Sequence, residues 1–370
     1  MNILQVRSAL SDAGPGTQPL TIATELRRRG HSVSFATSGG AYVEQVQKNN
    51  FPVTIIPTLA YNKRGPLSTW SNIRALAKVI KEQKIDVIHG HNAAATLVAC
   101  IGGKLAGCKF SAVSSVRGLD PRALYQWRNY IYHMVPGRIL AVSEFTLREL
   151  MKFGIAAARV TVTYNGFDQQ RFNPITADSE RIRREFSLGS RTLIGCVGTM
   201  VETKPTKGQH VLVEALAKIR PRFPDAHVVF VGDGPGRAHV EQVARDLNMT
   251  DHVTFAGMRF DTPDFFSAFD IYCLPSIKGE MFPNSIVEAM AMGKPWVGSD
   301  IAGLSELTAE GRAGTVVPIG DADSLANALI KLLEDRGLRL AMGVKARKEA
   351  VERFTISAVV DRIESAYRKS

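Results

Sequence analysis

Cysteine is scarce in this sequence. Four occur in 370 residues, Cys100, Cys108, Cys196 and Cys273, with no CxxC pair and no zinc-ligand spacing. That pattern argues against a disulfide scaffold or a structural zinc and points to a reducing cytoplasm. Long apolar runs are missing too: the longest, Ala93 to Gly103, is too short to cross a bilayer. The N-terminus, Met1-Asn2-Ile3-Leu4-Gln5-Val6, reads as the start of a strand and lacks the charged-then-apolar layout of a signal peptide. There is no short-period repeat and no low-complexity tract. No Ser/His/Asp or Cys/His nucleophilic set stands out. RRM, KH and helix-turn-helix signatures are absent, so nucleic acid is not an expected partner.

Charge is present but unevenly placed. The formal net charge is +11. Up to Asp168 there are 20 Lys and Arg against 9 Asp and Glu; beyond it the two kinds balance at 26 each. A basic half attracts anionic partners such as a membrane surface or a phosphorylated substrate, although scattered surface Lys and Arg also simply confer solubility. With 45% hydrophobic and 22% charged residues the chain can bury sizeable cores, and its length suits two domains.

Strand and helix patterns alternate. Expected strands are Ile3–Val6, Val33–Ala36, Val53–Ile56, Val87–His89, Ser111–Ser115, Ile139–Val142 and Val160–Tyr164, with helices between them, one at 122–135. A polar stretch, 169–190, reads as a link carrying a short helix. A second series starts at Leu193–Val197 and continues through His227–Val231, Val253–Ala256, Ile271–Leu274 and Pro295–Ser299. Continuous apolar strands between helices predict parallel sheets covered on both faces. The expected fold is α/β, with two facing Rossmann-like domains: 1–170, and 188–352, with a last helix (355–370) packing back on the first. Ligands in such sheets bind beyond the C-terminal ends of the strands, here in a cleft between the domains.

The strongest local signal runs from Pro275 to Pro295, PSIKGEMFPNSIVEAMAMGKP. A strand ends at Leu274, a loop carries Glu280, and a helix is predicted to begin near Pro283. Free N–H groups at a helix start form an anion site, which suits a diphosphate. The carboxylates of Glu280 and Glu288 accept hydrogen bonds and suit polyol hydroxyls. Spacing alone leaves open an ordinary loop acid and a helix-surface acid.

Glu280 and Glu288 also form the E-x7-E pattern of the retaining glycosyltransferases of family four, which have the two-domain GT-B architecture. The resemblance covers nearly the whole chain. It includes Gly14-Pro15-Gly16, Arg29-Gly30-His31, Asp86-Val87-Ile88-His89-Gly90-His91, Ala141-Val142-Ser143-Glu144, Tyr164-Asn165-Gly166-Phe167-Asp168, Lys207-Gly208 and Gly232-Asp233-Gly234-Pro235 in order. It implies transfer of a sugar from a UDP- or GDP-linked donor to a hydroxyl of a glycan or lipid-linked acceptor, with no metal or other cofactor. It implies that Glu288 holds the donor ribose, that Glu280 holds the transferred sugar, and that Lys207 neutralises the diphosphate. The backbone of Phe282 and Asn284, flanking Pro283, meets sugar or diphosphate; that near Met258 and Arg259 meets the base; Gly16 lets its loop approach.

This chain departs from the family pattern in places. Met281 stands where Gly is usual between Glu280 and Phe282 and narrows the sugar space. Gly198 is followed by Thr199-Met200 and extra residues before Lys207, and the usual Arg is missing. Lys204 or Arg117 is a candidate to replace its charge. Arg117-Gly118 stands where many members have His-Gly. His91 is expected near acceptor or donor; His89 and His91 as a metal pair lack a third ligand. Asp321-Ala322-Asp323 reads as a helix N-cap rather than a metal-binding DxD. Segment 122–138 mixes Arg122, Arg128 and Arg138 with Tyr125, Trp127, Tyr130 and Tyr132, a face suited to an anionic leaflet or to core packing with basic residues in water. The expected setting is cell-surface polysaccharide or lipopolysaccharide assembly on the inner face of the plasma membrane. A non-catalytic nucleotide-sugar-binding module and a nucleotide-sugar epimerase are the competing readings.

Overall fold

The computed structural model describes residues 1–10, 17–60, 63, 65–117, 130–200 and 206–369. It divides into two compact units, Met1–Gly166 with Ile356–Ser370, and Phe167–Thr355.

Unit 1 holds a seven-stranded sheet built from β1 (Asn2–Arg7), β2 (Ser32–Thr37), β3 (Val53–Ile55), β4 (Val87–Gly90), β5 (Ser111–Val116), β6 (Arg138–Ala141) and β7 (Val160–Val162). Their order is β3-β2-β1-β4-β5-β6-β7, every pair parallel. The chain therefore reverses direction across the sheet between β1 and β4. Ile3, Leu4, Val6, Val87 and Ile88 are buried because helices cover both faces. On one face helices Pro66–Glu82 and Ala93–Leu105 bring Leu76, Ile80, Ala95 and Ala99 onto Leu4 and Ile88. Asn92 starts the second of these helices, its side chain accepting from Ala95 N at 2.8 Å.

Helix Ile356–Arg368 belongs to the same unit and buries Val359, Val360, Ile363 and Tyr367. Arg29 ties it to helix Gln18–Arg28, pairing with Asp361 at 2.6 Å and Glu364 at 2.8 Å while also holding Glu25 at 2.8 Å. His31 meets Glu364 at 2.7 Å.

Unit 2 holds six parallel strands: β8 (Thr192–Val197), β9 (Ala226–Val231), β10 (Val253–Phe255), β11 (Ile271–Leu274), β12 (Trp296–Ser299) and β13 (Gly314–Val317). Their order is β10-β9-β8-β11-β12-β13, so the reversal falls between β8 and β11. Strand β13 has no counterpart among the expected strands. It is four residues long and opens on a glycine because a Cβ at Gly314 would lie 2.0 Å from the buried Trp296 ring. The stretch 169–190 supplies helix Ser179–Glu185, held in unit 2 by Arg181 on Asp264 at 2.6 Å and Arg183 on the Ala268 carbonyl at 3.0 Å. Among the described residues no helix is long and apolar enough to cross a membrane.

Candidate functional site

In each unit the candidate residues gather at the C-terminal strand ends beside the point where strand order reverses, the usual ligand position in such sheets. In unit 2 the loops after β8 and β11 meet. Thr206 O accepts from Ile277 N at 2.7 Å, pinning one loop to the other. Gly208 then turns the chain into helix Gln209–Ile219 with φ 69°, and a Cβ there would lie 1.8 Å from Pro275 O. Only glycine allows both the left-handed turn and that approach. The result is that Lys207 lies against the β11 loop.

There the Lys207 ammonium donates to Glu280 Oε1, and Ser276 Oγ donates to the same oxygen at 2.8 Å. Glu280 is buried, 7% exposed. Among the described residues its Oε2 receives no hydrogen bond, so one carboxylate oxygen is fixed and the other remains to accept. Gly198, at the end of β8, lies against the Lys207 stem. Ser276 was not foreseen; its only sequence signal is its place four residues before Glu280.

The helix after this loop begins at Asn284, one residue later than the sequence pattern predicts, and runs to Ala291. Pro283 is its N-cap, with φ −75° and ψ 115°. Its ring thus fixes the entry into the helix, whereas a place in the first turn was expected. Met281 and Phe282 are buried, and Phe282 packs edge-on against Phe354 at 5.4 Å. Glu288 lies one turn into the helix. Burial pushes its carboxyl up to about 7 against the opposing pull of Arg171. Beside it the buried Tyr272 hydroxyl reaches Val197 O at 3.3 Å and also bonds the Ser285 side chain. Burial raises that phenol well above its ordinary range. The sequence assigned no role to Tyr272, Ser285 or Arg171.

In unit 1 the corresponding edge carries His89, His91 and Arg117. His89 bonds Tyr367 Oη at 2.7 Å and Ser115 Oγ at 2.8 Å, so both its nitrogens are spoken for. His91 stacks on it at 4.5 Å and bonds Gln5 Oε1 through Nε2. Burial holds both imidazoles well below their ordinary value, with Arg117 adding to the effect, so both are neutral near pH 7.

Two family models match the chain: Glycosyltransferase Family 4 over residues 13–171 and Glycosyl transferases group 1 over 191–335. Phosphatidyl-myo-inositol mannosyltransferase of Mycolicibacterium smegmatis is 30% identical over 365 residues, 96% of this chain and 89% of its own. The chain belongs to glycosyltransferase family 4. N-acetyl-alpha-D-glucosaminyl L-malate synthase of Bacillus anthracis is 25% identical over 374 residues, 96% of this chain and 94% of that protein. The fold is that of Anabaena HepE solved with UDP, TM-score 0.86 at 24% identity over 100% of both chains. It is likewise that of WaaG, TM-score 0.71 at 17% identity over 100% of this chain and 99% of the other. The protein is thus a glycosyltransferase of GT-B architecture.

The remaining expected site residues of this glycosyltransferase fall into three groups. Gly16, Lys204 and Gly118 lie outside the described residues, as do Arg122, Tyr125, Trp127 and Arg128 of the basic aromatic segment. Thr199 and Met258 stand on the loops that end β8 and β10, Met258 56% exposed. The Arg259 side chain is taken up by Asp261, at 2.7 and 2.9 Å, and by Glu185, leaving its backbone for any contact with a base. Tyr132 of the segment 122–138 is core, 5% exposed, packed with Val135 and Leu150, and so belongs to no membrane-facing surface. Asp321 caps helix Ala322–Glu334, accepting from Asp323 N and Ser324 N at 3.0 Å each.

Proposed function

We propose that the enzyme is a retaining transferase that moves a sugar from a UDP- or GDP-linked donor, held by unit 2, to a hydroxyl of a glycan or lipid-linked acceptor, held by unit 1. The observation that carries this reading is the Lys207–Glu280–Ser276 cluster at the β8/β11 reversal, with one Glu280 oxygen left to accept. Glu280 takes hydroxyls of the transferred sugar and Glu288 those of the donor ribose. Gly198, Thr199, Met281, Phe282, Pro283 and Asn284 shape the donor seat, and Lys207 meets the diphosphate. Met258 and Arg259 offer backbone to the base. Gly16 and Lys204 complete the donor contacts, and His91 and Arg117 serve the acceptor side.

In the reaction the bond from the anomeric carbon to the diphosphate oxygen breaks and a bond to the acceptor oxygen forms on the same sugar face. The acceptor proton passes to the departing phosphate. The protein's share is to stabilise the charge that grows on the leaving oxygen, which Lys207 and the oriented N–H groups of helix Asn284–Ala291 do. No metal or other cofactor has a role in this scheme.

Support for the substrate class comes from relatives. HepE was solved with UDP-glucose, and UDP-Gal:alpha-D-GlcNAc-diphosphoundecaprenol alpha-1,3-galactosyltransferase of Escherichia coli is 27% identical over 84% of this chain. The setting we assign is cell-surface polysaccharide or lipopolysaccharide synthesis on the inner face of the plasma membrane, the basic N-terminal half resting on anionic lipid. Co-sedimentation with anionic against neutral vesicles tests the last point, and equal binding to both refutes it. For the activity, a thermal-shift screen against UDP- and GDP-sugars identifies the donor, because a ligand that binds only the folded form raises its melting point. With that donor, Glu280→Ala nearly abolishes transfer; an unchanged rate removes Glu280 from the site.

A further inference from the structure

One face of three neighbouring strands in unit 1 is polar at its C-terminal end. Alternation places Gln5 and Arg7 on the same side of β1, His89 and His91 on the same side of β4, and Ser115 and Arg117 on the same side of β5. The register aligns Gln5 with His89 and His89 with Val113, two residues before Ser115, so these side chains form one cluster. It is deeply buried: Gln5 is 1% exposed, His89 0%, His91 8% and Arg117 6%.

A buried arginine ordinarily has a carboxylate, because an unpaired buried charge is costly. Arg117 has none. Its Nη1 donates to the Tyr164 carbonyl at 3.3 Å and to the Asn165 side-chain oxygen, both neutral. Its Nε and Nη2 are buried and, among the described residues, meet no acceptor. Those two atoms form the parallel fork with which Arg28 in this same chain clasps both oxygens of Glu25, at 2.7 Å each. Gln5 Nε2, also buried, is a further donor without an acceptor among the described residues, and Arg7 adds positive charge nearby. His91, giving Nε2–H to Gln5, keeps a buried Nδ1 with no donor among the described residues.

We propose that this cluster seats an oxyanion, a carboxylate or phosphate group carried by the sugar acceptor, gripped bidentately by Arg117 Nε and Nη2 and assisted by Gln5 Nε2. The unpartnered His91 Nδ1 accepts from a hydroxyl of the same molecule. The acceptor of this transferase is therefore an acidic one. The inference rests on unit 1 holding the acceptor, as set out above, but the anion site itself stands on Arg117 alone.

The test uses the full chain and calorimetric titration with inorganic phosphate and, separately, malonate, at ionic strength balanced with chloride. Saturable binding of at least one is expected. The preferred anion tells a phosphorylated acceptor from a carboxylated one. Arg117→Gln weakens that binding about tenfold or more, since hydrogen bonds to a charged group are being removed. Arg117→Lys, which keeps the charge but loses the fork, restores little of it. Lys207→Met leaves this anion binding in place while abolishing binding of UDP and GDP, which tests the donor assignment in the same samples. Binding of phosphate and malonate that survives both Arg117 variants, or that disappears in Lys207→Met instead, overturns the proposal, as does absence of saturable binding to the parent. Should anion binding follow Arg117 while no nucleoside diphosphate binds at all, the anion site stands and the donor reading falls.

Discussion

Replacing Lys207 by methionine should destabilise unit 2 well before any substrate is considered. The Lys207 ammonium and the Ser276 hydroxyl share Glu280 Oε1. The Glu280 side chain is 6% exposed and that of Lys207 24%. Removing the cation leaves a buried carboxylate with one neutral donor. Breaking a buried pair in this way costs about 3–5 kcal/mol, and partial access of water at Lys207 favours the low end, about 3 kcal/mol. Unit 2 spans about 190 residues, a size at which each kcal/mol moves the melting temperature about 2–4 °C. The expected loss is therefore about 6–12 °C by differential scanning calorimetry of the ligand-free enzyme at pH 7. The double variant Lys207→Met/Glu280→Gln should recover most of it, because no charge is then left buried. A single variant melting within about 1 °C of the parent, or a double variant equal to the sum of the singles, would refute the coupling.

Three other outcomes are expected. Burial pushes the Glu288 carboxyl up to about 7 from its ordinary 4.5. Such a group favours the native state below its unfolded value, and that contribution is lost as pH rises through 7. Between about pH 5 and 7.5 the melting temperature of the ligand-free parent should thus fall more steeply than that of Glu288→Gln; equal slopes would sink the assignment. Gly208→Ala forces a side chain into left-handed backbone and against Pro275 O, so it should cost more than the ~1–2 kcal/mol of the conformation alone, read by urea titration. Tyr367→Phe leaves His89 Nδ1 buried without a partner and should cost unit 1 about 1–3 kcal/mol; an unchanged denaturation midpoint would show the bond to be immaterial.

Much of the fold could be read from the chain because parallel strands covered on both faces appear as short unbroken apolar runs. Thirteen strands are seen among the described residues, and the one overlooked, β13, is where Gly314 interrupts the run to make room for Trp296. The acidic pair and Lys207 were legible because loop chemistry at a strand end keeps local order. What escaped was long-range. Tyr367 reaches His89 across 278 residues, and Lys207 reaches Glu280 across 73. No local pattern encodes those meetings. The start of helix Asn284–Ala291 was misplaced by one residue because proline suits both the first turn and the position just before it. Tyr132 was left between a membrane face and a core, because an aromatic beside basic residues has the same signature in both.

The path of the chain sets an order of assembly. It leaves unit 1 at Gly166, builds the whole of unit 2, and only then returns at Ile356. During synthesis the nascent N-terminal sheet waits for Tyr367 while roughly 200 residues are added, about 10–40 s at 5–20 residues per second. Throughout that interval the surface that Val359, Val360 and Ile363 will cover lies bare, whereas the inserted unit already has all of its own strands. The second half of the polypeptide can thus mature before the first, and premature termination shortly before residue 356 would release a finished second unit attached to an unsealed first one.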